Sequence, residues 1–265
     1  NFFDGINELD REKITSIMDS SIITKIQAIY SPIDSLIVQA QSQDFDSKNN
    51  AIDKITTLAQ EGRISAERLD EVFQLFLSGV QSEDDHMKIN SLFGIKCFVE
   101  QNKLCTGKIN LTLDLFTEKA MDSEDVVKIT ALSVITDLIK QNKLFSAKIK
   151  KVLDVLIVQT QDDNIDIVKN ALFGINKLIE QNKLPTDKIL EILDLFISLN
   201  RSESYIIQKE VLIGINALIK KDAIYAEKIS EVIELLIINI KSSSNDITEK
   251  ALFTLNDLLK KDDFL

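Results

Sequence analysis

The amino-acid sequence predicts an all-α chain, a right-handed superhelical stack of two-helix repeats, and three observations predict it. The first is composition: 265 residues include seven Gly, two Pro and no Trp against 45% hydrophobic residues. That leaves little material for hairpins, β-turns or glycine-rich phosphate loops. The second is a turn that recurs at a step of 40 residues, as VEQNKLC at 99–105, LIKQNKLF at 138–145 and IEQNKLP at 179–185. The third is that the segments on either side of this turn recur with it and carry apolar residues at helical spacing.

The first element of each copy is a long amphipathic helix. It reads NSLFGIKCFVEQNKL at 90–104, TALSVITDLIKQNKL at 130–144, NALFGINKLIEQNKL at 170–184, EVLIGINALIKKDAI at 210–224 and KALFTLNDLLKKDDF at 250–264, with a more diverged copy from Asn50. Leu92, Leu132, Leu172, Leu212 and Leu252 form one column, and Ile95, Ile135, Ile175, Ile215 and Leu255 the next. Val127, Ala131, Ile135, Leu138 and Ile139 fall at steps of three and four, which is one helical face. In the turn that follows, Asn is predicted to take the left-handed conformation that closes a helix, and Leu to fold back onto the pair. The second helix reads TGKINLTLDLFTEK at 106–119, SAKIKKVLDVLIVQ at 146–159 and TDKILEILDLFISL at 186–199, with Thr106, Ser146 and Thr186 as predicted N-caps and Pro185 as a stop for the helix before. Polar clusters such as QDDN at 161–164 and KSSSN at 241–245 link one copy to the next.

A helix pair cannot bury both its apolar faces alone, so neighbouring copies must stack and share one elongated core. The predicted repeats span about residues 8–49, 50–89, 90–129, 130–169, 170–209 and 210–249 of a single repeat domain, about six copies with a partial one at 250–265. The first copy is degenerate and the last stops after its first helix, so either a parent chain continues or another molecule covers that end. The chain opens with Asn1, not Met, and is expected to be a piece of a longer protein.

A 40-residue period with two helices per unit, over nearly the whole chain, resembles the HEAT and armadillo-like α-solenoid superfamily. The resemblance is one of architecture. The first helices lack the proline of the HEAT signature, the turn carries Gln-Asn-Lys where that signature has aspartate, and Lys and Asp replace its second-helix arginine. The Trp ladder of nuclear-import armadillo repeats has no counterpart. An Asn column at Asn176, Asn216 and Asn256, interrupted by Lys96 and Thr136, reads as an inter-repeat hydrogen-bonding position.

A net charge of −11 and a pI near 4.7 disfavour nucleic acid and anionic lipid and point to protein partners. No apolar run is long enough to span a bilayer, and no basic-then-apolar leader opens the chain. Cys97 and Cys105 read as thiols of a reducing compartment, hence an intracellular, cytoplasmic protein, or one delivered into a host cytoplasm if the Ile-, Asn-, Lys- and Asp-rich composition marks an intracellular microbe. The single histidine, His86, has neither a nucleophile pattern nor metal-ligand spacing beside it. The expectation is a non-enzyme without cofactor or metal. The remote alternative is a nucleic-acid enzyme, since some HEAT-like solenoids resemble DNA glycosylases, but those use a basic, aromatic-rich concave face.

With Ile189, Ile192, Leu193 and Phe196 at the core, the opposite stripe of that second helix holds Asp187, Glu191 and Asp194. The same columns in other copies add Glu67, Glu71, Asp114, Glu118, Asp154, Glu227, Glu231 and Glu234. The resemblance implies that second helices line the concave side, where these acids would repeat about every 10 Å. Such a ridge suits a basic or amphipathic segment of another protein. Lys108, Lys148, Lys188 and Lys228 lie near enough in sequence to offset it, and the alternative is a structural module that self-associates through its end repeats. A second candidate, the column Phe93, Phe173 and Phe253, is read as flank packing, and Gly94, Gly174 and Gly214 are placed on the outer stripe of the first helices.

Overall fold

In the computed structural model, which describes residues 32–261, the 40-residue period becomes an alternation of longer and shorter helices. These are α1 (Pro32–Ala40), α2 (Phe45–Gln60), α3 (Leu69–Val80), α4 (Asp85–Glu100), α5 (Thr106–Lys119), α6 (Asp125–Lys140), α7 (Ser146–Gln159), α8 (Ile165–Glu180), α9 (Ile189–Leu199), α10 (Tyr205–Lys220), α11 (Ile229–Ile240) and α12 (Asn245–Leu259). One turn of 3₁₀ helix, Thr186–Lys188 and Ala226–Lys228, leads into α9 and α11, and no strand occurs among the described residues. Most of the predicted first copy, through residue 31, lies outside the described residues. The helices fall into two compact units that divide between Lys103 and Leu104, α1–α4 and α5–α12.

Each residue of the QNKL turn has a structural task. Asn102, Asn142 and Asn182 have φ of 57°, 58° and 56°, as predicted, and Asp222 and Gly62 take the same place in the diverged copies at 52° and 71°. Asn tolerates this region better than most side chains because its short amide bonds locally. Gln and Lys reach back to the preceding copy. In the first unit Gln101 Nε2 donates to the Ala59 carbonyl at 2.7 Å and Lys103 Nζ to that of Gly62 at 3.0 Å; in the second, Gln181 Nε2 donates to Ile139 at 2.6 Å and Lys183 Nζ to Leu144 at 3.1 Å. Leu104 and Leu144 are buried. The turn recurs because it closes a helix, plugs the core and ties copy to copy.

The linkers are equally regular. A side chain at 82, 122, 162, 202 or 242 accepts the backbone N–H two residues on, and the long helix then begins. Asp44, Asp84 and Asn164 cap those helices with their side chains. Thr106 and Ser146, expected as N-caps, are instead the first helical residues, behind Cys105 and Phe145, and Thr186 opens the 3₁₀ turn behind Pro185. The extended φ/ψ of an N-cap belongs one residue earlier, and none of those three earlier residues makes a side-chain cap bond.

The two rows of helices differ in how closely they pack. In each unit the longer helices lie directly against one another, α2 on α4 in the first and α6, α8, α10 and α12 in the second, whereas the shorter helices touch each other sparsely. Small residues permit the approach at most copies: Ala51, Ser91, Ala131, Ala171 and Ala251 share one column with Val211, all without exposed surface. The glycines are not on an outer stripe. Gly94, Gly174 and Gly214 are buried, and a Cβ on Gly94 would overlap the Phe76 ring and one on Gly214 the Phe196 ring. Each glycine admits the large core residue of the shorter helix beneath it.

Candidate functional site

The shorter helices bury one face and expose the other. Ile192, Leu193 and Phe196 are fully buried, while Asp187, Glu191 and Asp194 are exposed, as are Asp154, Glu118, Glu227, Glu231 and Glu234; Asp114 is half-buried. In the first unit, Glu67 is exposed and Glu71 half-buried.

A regular ladder of lysines runs through that stripe. Lys148 meets Asp114 at 2.6 Å, Lys188 meets Asp154 at 3.0 Å and Lys228 meets Asp194 at 2.8 Å, each joining one copy to the next. Lys188 and Lys228 also hold Glu191 and Glu231 in their own helix, both at 2.8 Å. Lys150 approaches Asp187 at 3.6 Å, Lys151 approaches Asp114 at 3.8 Å, and Lys119 approaches Glu118 at 3.7 Å. Hydrogen bonding from Lys148 holds the Asp114 carboxyl below the usual carboxylate range, and hydrogen bonds to Glu191 and Asp154 push the Lys188 ammonium up. Among the described residues, Glu227 and Glu234 of the second unit and Glu67 of the first have no cation within 4.0 Å. Glu71 shares Arg68 with Asp34, at 3.0 Å and 2.6 Å. The ridge therefore has two classes of acid: aspartates that fasten repeats and glutamates that face solvent.

The Asn column fastens repeats too. Asn176 is buried and its Nδ2 donates to the Glu210 carbonyl at 3.0 Å and to the Glu210 carboxylate at 3.1 Å; Asn216 donates to Asp257 at 3.1 Å. Burial pushes the Glu210 carboxyl up. The Phe column lies at the exposed edge of the longer helices, where lysines cover it. Lys140 and Lys177 lie 4.8 and 5.2 Å from the Phe173 ring centre, and Lys220 lies 5.2 Å from that of Phe253, which is 54% exposed. His86 is exposed and 3.7 Å from Asp53. Neither cysteine forms a disulfide; Cys97 is buried, which pushes its thiol up, and Cys105 is exposed.

Sequence reasoning missed one feature, a hollow of about 710 Å³ between α10 and α12 on the longer helices of the second unit. Its signal is a small residue, Ala217, in a column that elsewhere in the second unit holds Asp137, Lys177 and Asp257, with Thr57 and Cys97 in the first. Among the described residues, no helix is long and apolar enough to cross a membrane.

No protein-family profile matches the chain, and no curated protein sequence does. Among solved structures, a designed armadillo repeat protein in complex with a (KR)4 peptide aligns with 86% of this chain and 100% of its own at 15% identity and a TM-score of 0.65. Computationally designed armadillo repeat proteins for modular peptide recognition align with 85% of this chain and 99% of their own, again at 15% identity and 0.65. Importin beta aligns with 86% of this chain and 30% of its own, at 11% identity and 0.62. Likeness at such identities speaks for the fold alone, and with the helix alternation above it establishes an α-solenoid fold similar to that of armadillo and HEAT repeat proteins.

Proposed function

We propose that the chain is a non-catalytic protein-interaction scaffold whose shorter helices hold a basic or amphipathic segment of a partner protein. The observation that carries the reading is the row of exposed acids in the second unit, in which Glu227 and Glu234 have no cation within 4.0 Å among the described residues and Glu118, Glu191 and Glu231 meet only lysines of their own copy. Glu67 and Glu71 extend the same chemistry in the first unit. The aspartates of the ridge serve chiefly to fasten one copy to the next. A repeat surface of one charge sign speeds the encounter with an opposite charge and makes it salt-dependent. The peptide complex of the designed armadillo protein, whose ligand is built of Lys and Arg, supports the reading by analogy of fold. Nucleic acid and anionic membrane would be repelled by the charge of −11.

The test is titration of a fluorescently labelled (KR)4 peptide into the full chain at two salt concentrations, beside a variant with Glu191→Lys, Glu227→Lys and Glu234→Lys. The aspartates that anchor the lysine ladder are spared, so the repeat contacts survive. Saturable binding that weakens with salt and disappears in an equally helical variant is the expected result. Equal binding by both chains rejects the ridge. A second reading, self-association through an end repeat, is favoured by the open face of α12, where Leu252 and Leu259 are 49% and 60% exposed although Leu92, Leu132, Leu172 and Leu212 in the same column as Leu252 are buried. Size measurement across dilution reads that directly.

A further inference from the structure

The hollow between α10 and α12 has a free charge opposite to that of the molecule. Ile213 and Phe253 form its walls, with Leu212 beneath and Ala217 leaving the space open. Of the three carboxylates that border it, two are already satisfied: Asp246 is held by Lys209 at 2.8 Å and Glu180 by Lys177. Lysines at the other end are not. Lys220 is 55% exposed, rests over the Phe253 ring and comes only within 3.8 Å of Asp257. Lys221 is exposed and has no carboxylate within 4.0 Å among the described residues. These two lysines stand where α8 carries Glu180 and Gln181, and the same pair recurs as Lys260 and Lys261 at the end of α12. Glu249, exposed and without a cation among the described residues, marks the opposite end.

We propose that this groove docks an acidic, aromatic segment of a partner protein, an apolar side chain filling the hollow against Phe253 and Ile213 while a carboxylate pairs with Lys220 and Lys221. The volume is that of an ordinary ligand site, with an apolar patch of Leu212, Ile213, Ala217 and Phe253 ringed by polar and charged groups. Lys220, already lying along an aromatic face, is pre-positioned, which lowers the ordering cost of the ion pair. Glu249 sets the polarity, because a second acid at that end would be repelled. The site lies on the longer helices, takes the opposite charge from the ridge of the shorter ones, and stands or falls separately from it.

The experiment is fluorescence anisotropy of the full chain with three labelled short peptides, one of Glu and Phe, one of Glu and Ser, one of Lys and Phe. The Glu-Phe peptide should bind saturably, and the Glu-Ser peptide about tenfold more weakly because the hollow stays empty. The double variant Lys220→Glu, Lys221→Gln installs the residues that α8 carries, so it should fold as the parent does and bind the Glu-Phe peptide about tenfold more weakly. Ala217→Asp, the residue of α6 and α12 at that column, should do the same by filling the hollow with an anion. Undiminished Glu-Phe binding in both variants, or equal affinity for Glu-Phe and Glu-Ser, overturns the proposal. Binding of the Lys-Phe peptide that ignores both variants reports on the ridge instead.

Discussion

Gly94 and Gly214 mark the points where one side-chain atom decides the packing of a repeat. A methyl at either would occupy the space of a buried phenylalanine ring, Phe76 or Phe196, and neither ring has room to retreat. Gly94→Ala and Gly214→Ala should each lower unfolding free energy by about 1–3 kcal/mol in urea titration, the range for overpacking a core. Gly107, exposed near the start of α5 with nothing within 4 Å of an added Cβ, is the control; Gly107→Ala should be neutral or raise stability by up to about 1 kcal/mol through helix propensity. If all three variants behave alike, the glycines are not packing devices. Glu210 poses the complementary problem of a polar group in a joint. Its carboxyl is pushed above the ordinary 4.5 by burial, against the hydrogen bond from Asn176 and the nearby Lys169, Lys209 and Lys177. A raised carboxyl binds its proton more tightly in the folded state, so the parent gains stability as pH falls through the folded value. Glu210→Gln keeps an acceptor for Asn176 without the charge. Its melting temperature should exceed the parent's at neutral pH, and the gap should close on acidification; a gap constant with pH would mean that charge burial is not the cause.

At the scale of the element, the lysine ladder joins the shorter helices, whose backbones otherwise touch sparsely, and it takes charge from the surface proposed for partners. These two roles pull against each other, and Lys188 sits at their crossing, bonded to Asp154 of the preceding copy and Glu191 of its own. Lys188→Met keeps the aliphatic stem and removes the charge. It should lower the melting temperature slightly, most visibly at low salt, and tighten (KR)4 binding by releasing two acids. Weaker (KR)4 binding in that variant would show that the ladder organises the ridge instead of competing with it. Asp114, whose carboxyl is depressed below 3.8 chiefly by the bond from Lys148, supplies the pH arm: its contribution is complete above that value and is lost as pH falls through the lower folded one. Much of this was legible in the sequence. The period, both helices, the left-handed Asn and the core columns each rest on local pattern, and the repetition multiplies a weak signal. The ladder was half legible, because Lys148, Lys188 and Lys228 could be seen near the acids, while the 34-residue offset that pairs Asp114 with Lys148 depends on how copies stack. The hollow escaped notice because its signal is one short side chain in a column.

At the scale of the molecule, a stack whose interfaces repeat should tolerate loss of a whole period and nothing else. Deleting residues 170–209 joins Lys169 to Glu210 and rebuilds one long helix from the start of α8 and the end of α10, with every apolar column in register. Stability in such arrays is close to a sum of unit and interface terms, so the deletant should keep its helical fraction per residue and melt at a lower temperature. Deleting 170–189 instead fuses the start of a longer helix to the body of a shorter one, which places core residues of one row in the other. That chain should aggregate or lose helicity, as read by circular dichroism and size-exclusion chromatography. Identical behaviour of the two deletants would reject the 40-residue unit as the unit of folding. The in-register deletant also separates the two proposed surfaces. It removes Asp187, Glu191 and Asp194 from the ridge and leaves Ala217, Lys220, Lys221 and Phe253 in place. Affinity for (KR)4 should therefore fall while affinity for the Glu-Phe peptide is retained. Loss of both together would mean that the two surfaces are one site, and loss of neither that the partner is held elsewhere on the stack.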